Sequence, residues 1–406
     1  MSITSINLST LPFMGSCDST RAQMSSKQIN QALTHTNCEV PYVISNEYYS
    51  FVKNSTSGIL IAEDSGKVIF NNNEIMIIYY DNLKSIKIQE IPFYKITSEI
   101  FASKLRFALP NNTSFKKGDI IYSYDCFRNG YPSYGYNVMT GYFNFFGYNF
   151  EDSMVISESF AEKAKSTYCE KVYVPIYEYT LLQPLFQDNL DSLIYFPNIG
   201  EKLDSDGLIC SQLKANTDEN TSVADKKNKM LLLFNSLSVS DLINIHKNQN
   251  LTQFSVDYYK SKIKNGKLTG IKIHKLDSKS TLIDQKLSKQ LSLLFDNYVE
   301  NYVIPQYSDL KMELGEEYAR QVTKSHLIYH NDTKTTNRDA LKNAIYLLEF
   351  EITKEVGCFD GDKLCNRYAG KGVISLTIPD ELRPIAMESN LPIDNVFNSF
   401  GKIMPN

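Results

Sequence analysis

The sequence predicts a mixed α+β chain in which strands outweigh helices. Three observations predict it. Apolar runs broken by turn residues recur through the first 180 positions and return after Ala344. Helix-period apolar stripes are confined to short stretches. Hydrophobic residues make up 42% of a 406-residue chain, enough to bury cores in two or three domains.

In chain order, "TRAQMSSKQINQA" (Thr20–Ala32) lacks Gly and Pro and favours helix. From Val43 to Tyr80 the pattern turns β. There "SGILIAEDSGKVIFNNNEIMIIYYD" alternates apolar runs with Asp-Ser-Gly and Asn-Asn-Asn turns, the pattern of a meander. "KKGDIIYSYD" (Lys116–Asp125) adds a turn and a short strand. "YNVMTGYFNFFGYNFEDSMVISESF" reads as two strands around Gly147, a helix begins in "ESFAEKAKST", and "KVYVPIYEY" is a further strand. Composition shifts near Asn216, where "ANTDENTSVADKKNKM" reads as a linker or exposed loop with helices beyond it. Leu287, Leu291, Leu294, Tyr298 and Tyr302 recur at helical spacing with Pro305 after them, a face expected to pack on its own domain. After Ala344, "AIYLLEFEITKEVG" and "GDKLCNRYAGKGVISLTIPD" return to β character.

The bulk numbers exclude several classes. The formal net charge is −4, whereas a free-standing nucleic-acid binder is usually basic. Contact with nucleic acid is therefore either absent or local, inside a larger and more basic assembly. The seven cysteines form no C-x-x-C pair, and Cys358 and Cys365 lack the spacing and His partners of a zinc site, so free thiols in a reducing compartment are expected. "MSITSINLSTLPFMGS" has no basic n-region or long apolar core, so no signal peptide is expected. No run of 18 apolar residues exists to span a membrane.

Three constellations carry candidate chemistry. Glu151 and Asp152 set two like charges side by side between an aromatic and an apolar run. They read as a solvated turn, or as a strand end with one acid on each face, since successive strand side chains alternate. "GDKLCNRYAGKGV" (Gly361–Val373) puts Lys363, Arg367 and Lys371 among glycines that let backbone approach a ligand, and the cations suit phosphate oxygens. It is not a Walker loop: Cys365 and Gly372 stand where that motif needs Gly and Ser or Thr. A phosphate-handling loop of another kind and a surface hairpin both remain open. The helix carrying Arg21 and Lys27 reads by itself as an ordinary solvated face.

Together, and in this order, the motifs resemble the second-largest (β) subunit of multi-subunit, DNA-dependent RNA polymerases. Bacterial members carry a Gly-Tyr-Asn-Phe-Glu-Asp-Ser run, then Gly-Asp-Lys, then Arg-His-Gly-Asn-Lys-Gly-Val. Here the counterparts are "GYNFEDS" and "GDKLCNRYAGKGVIS". "LPFMGSCDSTRAQMSSKQINQA" is similar to the family's segment after the rifampicin-site region, "FPNIGEKLDSDGLI" to its stretch entering the flap, and "LPIDNVFNSFGKIMPN" to the run after its lysine loop. The matches are collinear and reach both ends and the middle of the chain, and they are poorest from about Asn216 to Asn343.

The resemblance implies a double-psi β-barrel core with a flap-like insertion and peripheral helices. It implies a fork- or rifampicin-region-like segment over 1–40 and barrel and hybrid-binding parts over 41–170. A flap-like insertion over 171–350 and a lysine loop with return to the barrel over 351–406 follow. It puts Arg21 on the arginine that contacts the incoming triphosphate, with Arg367 as a further substrate contact. Glu151 and Asp152 fall on the acidic pair beside the second, nucleotide-borne Mg²⁺, with Asp152 its water-mediated ligand. Lys363 and Lys371 fall on the lysines that hold the RNA 3′ end and the reacting phosphates. The principal Mg²⁺ belongs to the largest subunit, and no Asp-Phe-Asp-Gly-Asp run occurs here. The expectation is a split β-type subunit, inactive alone, lacking the family's upstream and far downstream parts. Its partners would be the remaining β fragments, β′-type fragments, a promoter-specificity subunit, template DNA, nascent RNA and nucleoside triphosphates, with no membrane.

Tyr368 and Gly370 depart from the family's His and Asn. The Asn- and Lys-rich, fragmented character is similar to the split polymerase subunits of jumbo bacteriophages, which implies the cytoplasm of a bacterial host or packaging in the virion. An organellar or plasmid-borne split polymerase is the alternative source. Two other functions stay open: a non-catalytic scaffold of a transcription complex, and an unrelated phosphate-binding enzyme that would bind nucleotide as an isolated chain.

Overall fold

The computed structural model describes residues 6–45, 58–71, 75–183, 186–189, 192–216, 221–236, 254–276, 282–298 and 344–398, with isolated positions between 300 and 319. Tyr302, Pro305 and the closing run 399–406 lie outside the described residues. The chain divides into two compact units, Met1–Tyr168 with Glu355–Asn406, and Cys169–Lys354.

The first unit contains a four-stranded antiparallel sheet in the order Ser85–Glu90, Ile75–Tyr80, Gly66–Asn71, Thr113–Phe115. Alternation explains its two faces: Gly66, Val68 and Phe70 point inward while their neighbours are half-buried. The buried set Val68, Met76, Ile78, Ile121 and Tyr124 forms one core, which also takes side chains from the strand Ile120–Tyr124. Tyr124 satisfies its buried hydroxyl by donating to the Pro92 carbonyl at 2.8 Å.

A five-stranded sheet carries the residues of interest, in the order Thr140–Tyr142, Asn395–Phe397, Ser153–Ser157, Lys371–Ile378, Lys363–Cys365. Thr140–Tyr142 runs parallel to Asn395–Phe397, and Ser153–Ser157 runs parallel to Lys371–Ile378. The other two pairings are antiparallel. Ile156 and Ile374 pack with Phe160, Ala161 and Ala164 on one face. Val155, Ile378 and Val396 form a second buried cluster. At the end of its strand Ser157 caps the helix Glu158–Lys163, its Oγ accepting from Phe160 N at 3.2 Å.

The N-terminal helix spans Ser19–Gln31. Asp18 starts it by accepting from the backbone N–H groups of Thr20 and Arg21 at 3.1 and 3.4 Å.

In the second unit Leu208–Ala215 pairs antiparallel with Thr180–Leu182 and with Phe254–Lys260, and Lys267–Lys275 pairs antiparallel with Ala344–Val356. Burial works against ionisation of Glu349. The hydrogen bond to His274 and the Lys171 ammonium, 2.8 Å away, outweigh it and hold the carboxyl down at about 2.

Two expectations are corrected here. The polar stretch after Asn216 is not simply a loop: Val223–Ser236 is a helix. Ser222 caps its start, its Oγ accepting from Asp225 N and donating to Asp225 Oδ2, and Met230 is buried against Leu213 and Leu181. Strands as well as helices follow it. "FSVDYYK" and "KLTGIKIHK" carry β-branched and aromatic residues at alternate positions and each finds an antiparallel partner. The predicted stripe from Leu287 does lie on a helix, Gln285–Tyr298, in which Leu287 and Leu291 are buried and Leu294 is 44% exposed.

Candidate functional site

The acidic pair lies in a turn that leads into the strand Ser153–Ser157, and both residues are exposed. Alternation along a strand therefore does not set their directions, a correction to the strand-end reading. The turn is built by Asn149, whose side chain is fully buried. Its Oδ1 accepts from Phe145 N at 2.9 Å and its Nδ2 donates to the Phe143 carbonyl at 2.7 Å. Further bonds from Phe150 N to Gly147 O and from Ser153 N to Phe150 O bring the chain round. Glu151 takes φ = 54°, the left-handed region that a non-glycine residue occupies only when its surroundings hold it there.

Asn149→Ala would remove the part-buried hydrogen bonds to Phe145 N–H and to the Phe143 carbonyl and leave a gap where the Asn149 amide is buried. We expect it to destabilise the folded chain by about 1–3 kcal/mol, read as a shift in urea midpoint at unchanged slope.

The lysine segment is a β-hairpin. Lys363–Cys365 pairs antiparallel with the start of Lys371–Ile378, in the register Lys363↔Val373, Leu364↔Gly372 and Cys365↔Lys371. Burial alternates along the second strand: Lys371 and Val373 are exposed, Gly372 and Ile374 buried. Lys363 and Cys365 are exposed, and Leu364 packs inward beside Ile374. Directly opposed residues share a face, so both lysines project from one face as a diagonal pair, about 7–8 Å apart by general sheet geometry. Among the described residues neither lysine forms a salt bridge, whereas Arg106, Lys163, Lys171 and Arg383 each do.

The loop between the strands is held from within. Asn366 Oδ1 accepts from the N–H groups of Tyr368 and Gly370, both at 2.9 Å, and Asn366 N donates to Gly370 O at 2.7 Å. A Cβ at position 370 would come within 2.6 Å of the Asn366 amide. The glycine that departs from the family pattern is thus what lets Asn366 close the loop. Tyr368, the other departure, donates its hydroxyl to the Pro12 carbonyl at 3.2 Å.

Strand pairing brings the acids to the lysines. Ser153 stands beside Val373, which stands opposite Lys363. Val373 N donates to the Asp152 carbonyl at 3.1 Å. A Cβ on Gly372 would lie 2.2 Å from that same carbonyl oxygen, so only glycine admits the acidic turn this close to Lys371.

The N-terminal helix meets the loop through Ser25, whose Oγ donates to the Arg367 carbonyl. Arg21, one turn earlier, shares that helix face and is half-buried, with no salt bridge among the described residues. Arg367 differs from the lysines: its Nη1 is buried without a hydrogen-bond partner, as is Gln28 Oε1 on the helix.

The structure thus brings Glu151, Asp152, Lys363 and Lys371 to one end of one sheet, with the helix bearing Arg21 tied to the loop that follows Lys363. Sequence reasoning missed Asn149, Asn366 and Gly372 as the residues that shape the site. Each sits inside a quoted motif, and Asn and Gly are the residue types that build turns. All seven thiols are free. Among the described residues no group of three or more His, Cys, Asp or Glu is arranged to hold a metal ion. Cations and carboxylates at one sheet end suit a polyphosphate and its counter-ion.

The model of the family described as RNA polymerase Rpb2, domain 6, matches residues 62–402, and the chain belongs to this family. The DNA-directed RNA polymerase subunit beta of Porphyromonas cangingivalis is 24% identical over 472 residues, covering 98% of this chain and 36% of that protein. The subunit of the same name from Mycoplasmopsis synoviae (strain 53) is 22% identical over 415 residues, covering 98% and 28%. The Thermus thermophilus subunit is 28% identical over 177 residues, 43% of this chain and 15% of that one. The chain spans about a third of the length of the first two relatives. Among the described residues no helix is long and apolar enough to cross a membrane.

Proposed function

We propose that the chain is a split β-type subunit of a DNA-directed RNA polymerase and contributes the phosphate-contacting half of a nucleotidyl-transfer site. The observation that carries the reading is the register Ser153–Val373–Lys363, with Val373 N bonded to Asp152 O, in a chain of the Rpb2 domain 6 family. The mixed parallel and antiparallel sheet supports the inference that this part belongs to a double-psi β-barrel, with the second unit as the flap-like insertion.

In the proposed reaction the RNA 3′ hydroxyl gives up its proton to water and its oxygen bonds to the α-phosphorus of a nucleoside triphosphate. The α–β bridge breaks and pyrophosphate leaves. Lys363 and Lys371 neutralise charge on the reacting phosphates and orient the RNA 3′ end, which preorganised cations do without reorganising during the step. Arg21 holds the triphosphate tail, with Arg367 beside it. Asp152, with Glu151 in support, faces the nucleotide-borne ion through water. Mg²⁺ supplies Lewis-acid charge neutralisation at the phosphates when bound, its principal site lying on a β′-type partner. The further partners are the remaining β segments, a promoter-specificity subunit, template DNA and nascent RNA, in a bacterial host cell or a virion.

The purified 406-residue chain should synthesise no RNA on a primed template. It should become active when reconstituted with its partner chains. Templated synthesis by the chain alone overturns the assignment, and tight nucleotide binding by the isolated chain would favour a separate phosphate-binding enzyme.

A further inference from the structure

The hairpin register sets Lys363 and Lys371 relative to each other. Arg21 stands on a helix, outside any strand register, so other bonds must set its place relative to the lysines. Two hydroxyls make such bonds. Ser25 is buried on the helix one turn after Arg21, and its Oγ donates to the Arg367 carbonyl, 342 positions away. Tyr368, the next residue of the loop, donates its hydroxyl to the Pro12 carbonyl at 3.2 Å, across 356 positions.

Both ends of these bonds are themselves held. Pro12 lies in the segment leading into the helix Ser19–Gln31. Asn7 Nδ2, in the short helix Ile6–Ser9 before it, donates to Asn30 Oδ1. The Arg21 backbone N–H is taken by the Asp18 cap. On the loop side, Arg367 Nη1 is buried, and Asn366 Oδ1 accepts from Tyr368 N and from Gly370 N, both at 2.9 Å. Lys371 follows Gly370 directly. A single hydrogen bond is a pivot. Two bonds, made at successive residues of a closed loop and reaching two parts of the N-terminal segment, fix an orientation.

We propose that Ser25 and Tyr368 are positioning residues for nucleotidyl transfer. By tying the helix to the lysine loop they hold the Arg21 guanidinium at a set spacing from the Lys371 ammonium. One triphosphate is then gripped at its tail and at its reacting phosphate together. Spacing matters because a misplacement of about 1 Å can cost on the order of 10²-fold in rate. Tyr368, where the family pattern has His, is a working part of the site, since its phenol oxygen is what reaches Pro12. The inference rests on the proposed function, because it needs Arg21 and the lysines on one substrate.

Ser25→Ala and Tyr368→Phe each delete one oxygen and little else. Single-turnover incorporation by the assembled enzyme at saturating triphosphate separates two effects. The rate constant reports the geometry of the loaded site, and the amplitude reports the fraction of intact complexes. Each variant should lower the rate roughly tenfold, and the double variant on the order of 10²-fold, at unchanged amplitude. Arg21→Ala and Lys371→Ala should be non-additive in the wild type and additive in the double-variant background. Tyr124→Phe removes the same kind of hydroxyl-to-carbonyl bond from a core outside the site and should leave the rate unchanged. A loss confined to amplitude, failed assembly included, overturns the inference, because the hydroxyls would then serve the fold alone. An equal rate loss in Tyr124→Phe, or a double variant that matches the wild type, overturns it too. In each of these cases a large loss in Lys371→Ala leaves the proposed function standing, whereas near-normal incorporation by Lys371→Ala overturns both.

Discussion

Lys371→Ala in the assembled enzyme is expected to lower nucleotide incorporation on the order of 10²–10³-fold, the usual loss when one preorganised charge is taken from a reacting phosphate. Lys363→Ala should do the same, because both ammonium groups project from one face of the same hairpin and neither has a salt-bridge partner among the described residues. Neither change should unfold the protein. Both side chains are exposed, and the strand pairing that holds them is made by backbone and by the buried neighbours Gly372 and Ile374. Promoter binding should barely change, since one phosphate contact alters the salt slope by only about one unit. Single-turnover incorporation beside a filter-binding titration makes the measurement. Near-normal incorporation by both variants would reduce the segment to a surface hairpin with scattered lysines.

Asp152→Ala is expected to raise the triphosphate and Mg²⁺ concentrations needed for half-maximal rate by roughly 10- to 100-fold, the loss of about 1.5–3 kcal/mol from a charge-assisted contact. The substitution keeps the Asp152 carbonyl that accepts from Val373 N, so the sheet register should survive. Glu151→Ala should do less. Its more informative replacement is Glu151→Gly, which removes the charge while suiting φ = 54° and so separates electrostatics from backbone strain. Magnesium titrations of the assembled variants decide between roles. Coincident curves for wild type and Asp152→Ala would make the pair a solvated turn and nothing more.

The candidate site residues Glu151, Asp152, Lys363 and Lys371 were picked out in the sequence by motifs that resemble one family, and the structure sets them at one end of one sheet. Their local setting was less legible. Glu151 and Asp152 read as a strand end or a turn, and nothing in "GYNFEDS" alone chooses between them. The buried Asn149 amide decides for the turn, and its burial depends on packing contributed by distant parts of the chain. Likewise the lysine segment read equally as a phosphate-handling loop or a surface hairpin; the structure shows the strand pairing of a hairpin, and its part in phosphate contact belongs to the proposed function.

By itself the sequence determined what is local. It set the helix Ser19–Gln31, begun by an Asp18 cap, and the inward alternation of Gly66–Asn71. It set the stripe that buries Leu287 and Leu291, the free thiols, and the family to which the motifs belong. These follow from residue periodicity and turn chemistry, which act within a few positions. Only the tertiary structure decided which strands pair. It put Ser153–Ser157 parallel to Lys371–Ile378, joined Ser25 to Arg367, and gave "FSVDYYK" a strand partner in Leu208–Ala215. Pairing between residues so far apart carries a loop-closure entropy that no short segment can offset, so the choice is made by the burial and hydrogen bonds of the whole fold.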